Sequence, residues 1–344
     1  MEKITTSDGE QKPVSASLLL ASSPHINSKV NSQKLMGNVL IALAPICVFS
    51  VIMFGLPVLL NIVVAVAAAI AGESLFRVVI RQPARVKDLS AVVTGVMLAL
   101  IIPPSLPLWM TALGSVFAIV VAKEFFGGLG ANVFNPALIG RAFLLMSFPK
   151  NMGTWHYPEV FENLEAIFPT ALTDATSSAS PLGVGWVLPD QYMEMFLGFR
   201  EGSSGETSIL LLLVAFVFLL ITKTIDWRAP VSMILSAAAF AFILGNDPVA
   251  AVLCGGLVFG AVFMTTDYVT SPLTPSGKVI FGIGAGIMTM LIRKYGMYPE
   301  GVCYSILIMN GITPFLNKIL PRKYGFVPKK PAPKADAGSK GGAQ

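Results

Sequence analysis

The chain has 344 residues, of which 54% are hydrophobic and only 12% charged, where a soluble domain carries about 25%. The formal net charge is +5, and the sequence points to lipid, not nucleic acid, as its surroundings. Three scattered cysteines (Cys47, Cys254, Cys303) and two distant histidines (His25, His156) have no metal-ligand spacing, so no disulfide framework, zinc site or haem site is expected.

Residues 1–34 are polar and weakly basic, without the charged start and apolar run of a signal peptide, so they are expected to be a cytoplasmic segment. Ten apolar segments follow, near 35–54, 57–80, 89–102, 107–122, 134–148, 207–222, 229–246, 248–265, 279–293 and 301–320. Blocks of this length predict an all-α polytopic membrane protein of about ten transmembrane helices. Several are shorter than the roughly 20 residues of a simple crossing, as expected for helices that are tilted or broken around a site. Lys29 and Lys34, Arg77 to Lys87, Lys123, Lys223 with Arg228, and the basic residues after 317 fall on one side if both termini are cytoplasmic. On the other side lie Arg293–Lys294, the exception to this pattern, and Lys150 and Arg200, outnumbered by acids in their loop. The expected organisation is a first five-helix half (35–148), an extracytoplasmic loop (149–206) rich in acids, a second five-helix half (207–320) and a disordered cytoplasmic tail (321–344).

Three stretches carry chemistry. "KEFFGGLGANVFNPALIGRAF" (123–143) combines glycines, Asn132, Asn135 and Pro136. Irregular backbone at membrane depth must line a cavity or be buried in protein, which favours a ligand pocket over a tight turn. "TTDYVTSPLTPSGKVIFG" (265–282) places Asp267 at the end of an apolar span, as an interfacial anchor or part of an ion site. Glu73 and Glu124 raise the same choice, and Arg77 stands one helical turn from Glu73. "DATSSASPL" (174–182) is a polar loop in which no single hydroxyl stands out on physical grounds.

These stretches, together with "SSPHI" (22–26) and "IRKYGMYPEGVCYSILIMNGITP" (292–314), resemble in order and spacing the D subunit of the Rnf ion-translocating oxidoreductase. Its homologue is the B subunit of the sodium-pumping NADH:quinone oxidoreductase. In that family a flavin transferase joins FMN by a phosphoester to the last Thr of an Asp-x-x-Ser-Gly-Ala-Thr motif. Aligned on Asp174, this chain has Ser178 in place of the Gly and Ser180 in place of the acceptor Thr. The resemblance therefore implies covalent FMN on Ser180, and a second, non-covalent flavin (riboflavin) near Asn132 and Asn135. It also implies a cytoplasmic (inner) membrane location and an extracytoplasmic, flavin-bearing G subunit and an NADH-binding C subunit as partners. Electron flow between ferredoxin and NAD is coupled to Na⁺ or H⁺ movement, with Glu73, Glu124 and Asp267 as ion-path candidates. The chain itself has no nucleotide fingerprint and no iron–sulfur cysteine set, so it is expected to work only within a complex. A family ending that usually supplies Asp reads Asn317 here. The alternatives are the quinone-reductase subunit itself, or a stand-alone transporter or channel on the same scaffold.

Overall fold

A computed structural model describes residues 31–82, 88–156, 177–178, 192–198, 202–206, 208–296 and 300–319. Ser180, the acids between 157 and 176, the 83–87 link and both terminal segments lie outside the described residues. Helix α1 (Ser32–Phe54) and helix α2 (Leu56–Val79) have 23 and 24 residues, a length of about 35 Å that exceeds the hydrocarbon core of a bilayer. Gly55, at φ +76°, and Pro57 in the first turn of α2 divide these two helices. The shorter α3 (Ser90–Ile101), α4 (Leu108–Val120) and α5 (Pro136–Ser147) follow.

A short α6 (Pro149–Met152) leads to β1 (Trp155–His156), whose backbone pairs antiparallel with β2 (Ser177–Ser178). Then come α7 (Tyr192–Leu197), α8 (Ile209–Ile221), α9 (Arg228–Ile243) and α10 (Pro248–Leu253). Helix α11 (Leu257–Phe259) runs into a π-helical turn at Gly260–Met264, and α12 (Pro275–Tyr295) and α13 (Val302–Ile319) complete the described helices.

Among the described residues four helices are long and apolar enough to cross a membrane, and four more are apolar but shorter. Ile41, Val63, Val79, Val217, Leu235 and Phe242 are exposed on helix faces, a surface that water would not tolerate and lipid or protein partners would cover. The molecule is an integral membrane protein. Helix occupies every apolar segment read from the sequence. The 248–265 segment, however, is split at Cys254–Gly256, and the 279–293 segment extends back to Pro275.

Helix starts follow a repeated local rule. Asn135, Asp247 and Thr274 each accept hydrogen bonds from backbone N–H groups of the first turn, and each is followed by a proline. The side chain satisfies donors that the helix leaves open, and the proline occupies a position that needs none.

Packing relies on small residues and buried polar contacts. Helix α2 lies against α3 and α4, and α9 lies along α12. Gly282 and Gly286 of α12 face Ser232 and Ser236 of α9, where an added Cβ would stand 1.9 and 2.1 Å from the two Oγ atoms. This is the close small-residue packing that replaces the hydrophobic drive inside lipid. Between α2 and α4, Thr111 Oγ1 donates to Asn61 Oδ1 at 2.7 Å, and Ser115 Oγ donates to the Ala65 carbonyl at 2.6 Å. Contacts of α1 with α8 and of α5 with α13 join the earlier helices to the later ones.

Candidate functional site

The α4–α5 connection (121–135), the turn after Met264, and the faces of α1, α3 and α8 line a cavity of about 70 Å³, smaller than the roughly 300 Å³ at which cofactor sites begin. Met36, Val39, Val93, Met97, Leu219 and Phe263 give it apolar walls, and Lys123, Asn132, Asn135 and Asp267 give it polar ones. Three residues singled out by sequence, from stretches more than a hundred positions apart, thus share one space. Asn135 spends its Oδ1 on the N–H groups of Ala137 and Leu138, at 3.0 and 3.3 Å, and so starts α5. Asn132 spends its Nδ2 on the Phe134 carbonyl at 3.1 Å. What remains for a ligand is an amide donor on Asn135 and an amide acceptor on Asn132. Asp267 is held by its own turn, accepting from Thr270 Oγ1 at 3.1 Å and from the Val269 N–H at 3.4 Å.

Lys123 connects this cavity to a buried ion network. Its Nζ donates to Ser90 Oγ at 2.7 Å and to Glu73 Oε2 at 3.2 Å, and lies 4.0 Å from Glu124 Oε1. Arg77 Nε stands 3.5 Å from Glu73 Oε1 and 3.2 Å from Glu124 Oε2. All four charged side chains are almost wholly buried, so the two cations and two carboxylates must balance one another. Gly128 makes the arrangement possible. It sits at φ +91°, and an added Cβ would stand 2.7 Å from Arg77 Nη2. The Glu73–Arg77 pair expected from helical spacing is present, but it is half of a larger set. Glu124, expected separately, belongs to the same set, and Asp267 does not.

Sequence reading passed over a second buried set. Arg141 of α5 pairs with Glu206 at 3.3 Å and with Glu300 in a short contact. Glu206, counted above with the acids of the 149–206 loop, is in fact buried at 2% exposure, because residues 203–206 tuck into the bundle. The Gly205 N–H donates to the Leu100 carbonyl at 2.7 Å, and Ser50 Oγ donates to the Ser204 carbonyl. The basic pair that broke the charge pattern also has a structural explanation. Arg293 donates to the carbonyls of Ala251 and Cys254 at 2.6 and 3.0 Å, at the C-terminal end of α10, and Lys294 donates to the Leu244 carbonyl at 2.7 Å. A cation at a helix C-terminus is favoured by the dipole, so these charges answer to local carbonyls as well as to topology. The signal for Arg141 was available: an arginine inside an apolar segment requires a partner.

Asn317 accepts from the Leu273 N–H at 2.9 Å and ties the end of α13 to the loop before α12. Among the described residues no cluster of His, Cys, Asp and Glu could hold a metal ion.

Known sequences match most of the chain. The model of the family described as "NQR2, RnfD, RnfE" matches residues 19–325. The D subunit of the Na(+)-translocating ferredoxin:NAD(+) oxidoreductase complex of Acetobacterium woodii is 40% identical over 321 residues, covering 92% of this chain and 98% of that protein. The D subunit of the proton-translocating ferredoxin:NAD(+) oxidoreductase complex of Clostridium ljungdahlii is 42% identical over 326 residues, covering 89% and 96%. The D subunit of the ion-translocating oxidoreductase complex of Stutzerimonas stutzeri is 36% identical over 324 residues, covering 85% and 92%. The match runs through all the helices that build the cavity and both ion networks, and the chain belongs to the NQR2, RnfD, RnfE family.

Proposed function

We propose that this chain is the membrane electron-transfer subunit of an ion-translocating ferredoxin:NAD⁺ oxidoreductase complex, with FMN esterified to Ser180 and a second flavin in the cavity. The observation that carries the reading is the meeting of Asn132, Asn135 and Asp267 in one cavity, next to the buried Glu73–Arg77–Lys123–Glu124 network. The lining suits such a group in kind, with apolar walls and one amide donor and one amide acceptor for a ring edge that has both. The cavity holds only about 70 Å³, so its walls must move apart to admit the ring. A bound flavin would supply the redox chemistry. The protein's residues do the rest. Asn132 and Asn135 orient the ligand, Met97 and Phe263 exclude water, and Lys123 sets a positive charge against it.

In this reading the helices form two five-helix halves with the 149–206 loop outside. Helix α2 against α4 and α9 against α12 supports it, since the second helix of each half then packs on the fourth. An outside loop puts Ser180 within reach of a flavin transferase and of a flavin-bearing neighbouring subunit. Relatives named for sodium and for protons are about equally similar, so the coupling ion is not set by overall similarity. A stand-alone transporter on this scaffold would also use broken helices, but it gives no reason for the hydroxyl-rich 174–182 motif.

The decisive experiment is co-expression of the complex with the flavin transferase, followed by a denaturing gel viewed under ultraviolet light. Native protein is expected to fluoresce, and peptide mapping should place FMN less one water on residues 174–182. Ser180→Ala should abolish the band, and Ser180→Thr should keep it. A fluorescent Ser180→Ala band refutes the attachment site. This chain purified by itself, folded and colourless, refutes the flavin reading altogether.

A further inference from the structure

A second, larger concavity of about 540 Å³ adjoins the cavity, and the two share Ile225, Thr266 and Tyr268 as a common wall. It opens between the α8–α9 link and the start of α12. Its lining is basic: Lys223 from the end of α8, Arg228 at the start of α9 and Lys278 in the first turn of α12. Asp226 lies among them and accepts from Arg228 Nη1 at 3.0 Å and from Lys278 Nζ at 3.2 Å. Partial burial works against ionising Asp226, but hydrogen bonds from the Arg228 N–H and the Lys278 ammonium outweigh it and hold the carboxyl below its ordinary 3.8. At neutral pH three cations therefore face one anion. Lys223 is exposed, at φ +53°, and has no ion-pair partner among the described residues.

The surroundings of this basic pocket are apolar. Ile221, Trp227 and Leu273 are 75%, 54% and 77% exposed, and the Arg228 guanidinium lies 5.7 Å from the Trp227 ring centroid. Tryptophan and basic side chains at helix ends belong at headgroup depth. A soluble anion would gain nothing from the aliphatic rim. An acidic protein segment would satisfy the lysines but leave that rim uncovered. A phosphodiester carrying acyl chains satisfies both.

We propose that this concavity binds the headgroup of an anionic phospholipid, with its phosphate held between Lys223 and Lys278 and its chains lying along Ile221, Trp227 and Leu273. Asp226 fixes Arg228 and Lys278 in place and leaves Lys223 as the mobile contact. The lipid packs against the wall shared with the first cavity, where Tyr268 donates its hydroxyl hydrogen to the Thr224 carbonyl.

The test uses the whole purified complex, titrated with phosphatidylglycerol and read by native mass spectrometry, with phosphatidylcholine as the neutral control. The Lys223→Gln/Lys278→Gln double variant should bind phosphatidylglycerol about thirtyfold more weakly, roughly what two near-surface lysines contribute. Its phosphatidylcholine binding and subunit composition should be unchanged. Lys223→Glu alone, which leaves the Asp226 pairs intact, should weaken binding in the same direction. Excess inorganic phosphate should not displace the lipid. Unchanged phosphatidylglycerol binding in both variants overturns the proposal. So does displacement by inorganic phosphate, which would mark a simple anion site. Loss of a neighbouring subunit with lipid binding intact also overturns it, because the pocket would then dock protein.

Discussion

Lys123 is a single ammonium with two loyalties: it lines the cavity, and it neutralises Glu73 and Glu124. A buried network of this kind is sensitive to imbalance more than to the loss of any one contact. Arg77→Met strands one carboxylate in the interior and should destabilise the protein by about 3–5 kcal/mol. Arg77→Met combined with Glu124→Gln restores the balance and should recover most of that loss. Thermal unfolding of the purified complex measures both, and a double variant no more stable than the single would show that geometry, not charge, holds the cluster. Glu73, Arg77, Lys123 and Glu124 were all visible in the sequence as charges in or beside apolar segments. That they form one set was not, because residues 77 and 124 are brought together only by the packing of α2 on α4.

At the scale of elements, the α9–α12 pair is the clearest case of packing by small residues. Gly286→Leu would set a Cβ 2.1 Å from Ser236 Oγ and 2.5 Å from the Met233 carbonyl, and overpacking a close contact costs about 1–3 kcal/mol. Gly37→Leu is the control, since a Cβ there meets nothing within 4 Å. In a thermal aggregation assay in detergent, the first variant should lose stability and the second should not. Equal behaviour would mean that α9 and α12 are free to separate. The start of α5 was read from Pro136, and a capping side chain followed by proline marks α10 and α12 in the same way, although hydropathy began the last of these four residues late. The break at Cys254–Gly256 and the π turn beyond it were less legible. Hydropathy ran unbroken through 248–265, and Gly255 adopts φ +66° there.

For the molecule as a whole, the proposed orientation predicts different accessibility for two exposed positions at opposite ends of the bundle. In intact cells a cysteine at Lys150, just after α5, should react with an impermeant thiol reagent, and one at Gln82, just after α2, should react only after the membrane is opened. The reverse pattern would place the 149–206 loop in the cytoplasm and remove the proposed electron route. Ser203, also within the 149–206 segment, is a poor choice for labelling because it is completely buried.

Sequence by itself determined the class of the protein and the identity of its chemical groups. Apolar run length, capping residues and isolated intramembrane charges are local properties that need no partner to be read. The tertiary structure decided which of those groups act together. It closed a cavity around Asn132, Asn135, Lys123 and Asp267, joined Glu73 to Glu124 through two cations, and drew Glu206 out of an apparent loop to meet Arg141. The physical reason is that a buried charge or amide must find a partner. Inside a membrane protein that partner is supplied by whichever helix packs alongside, however distant in sequence.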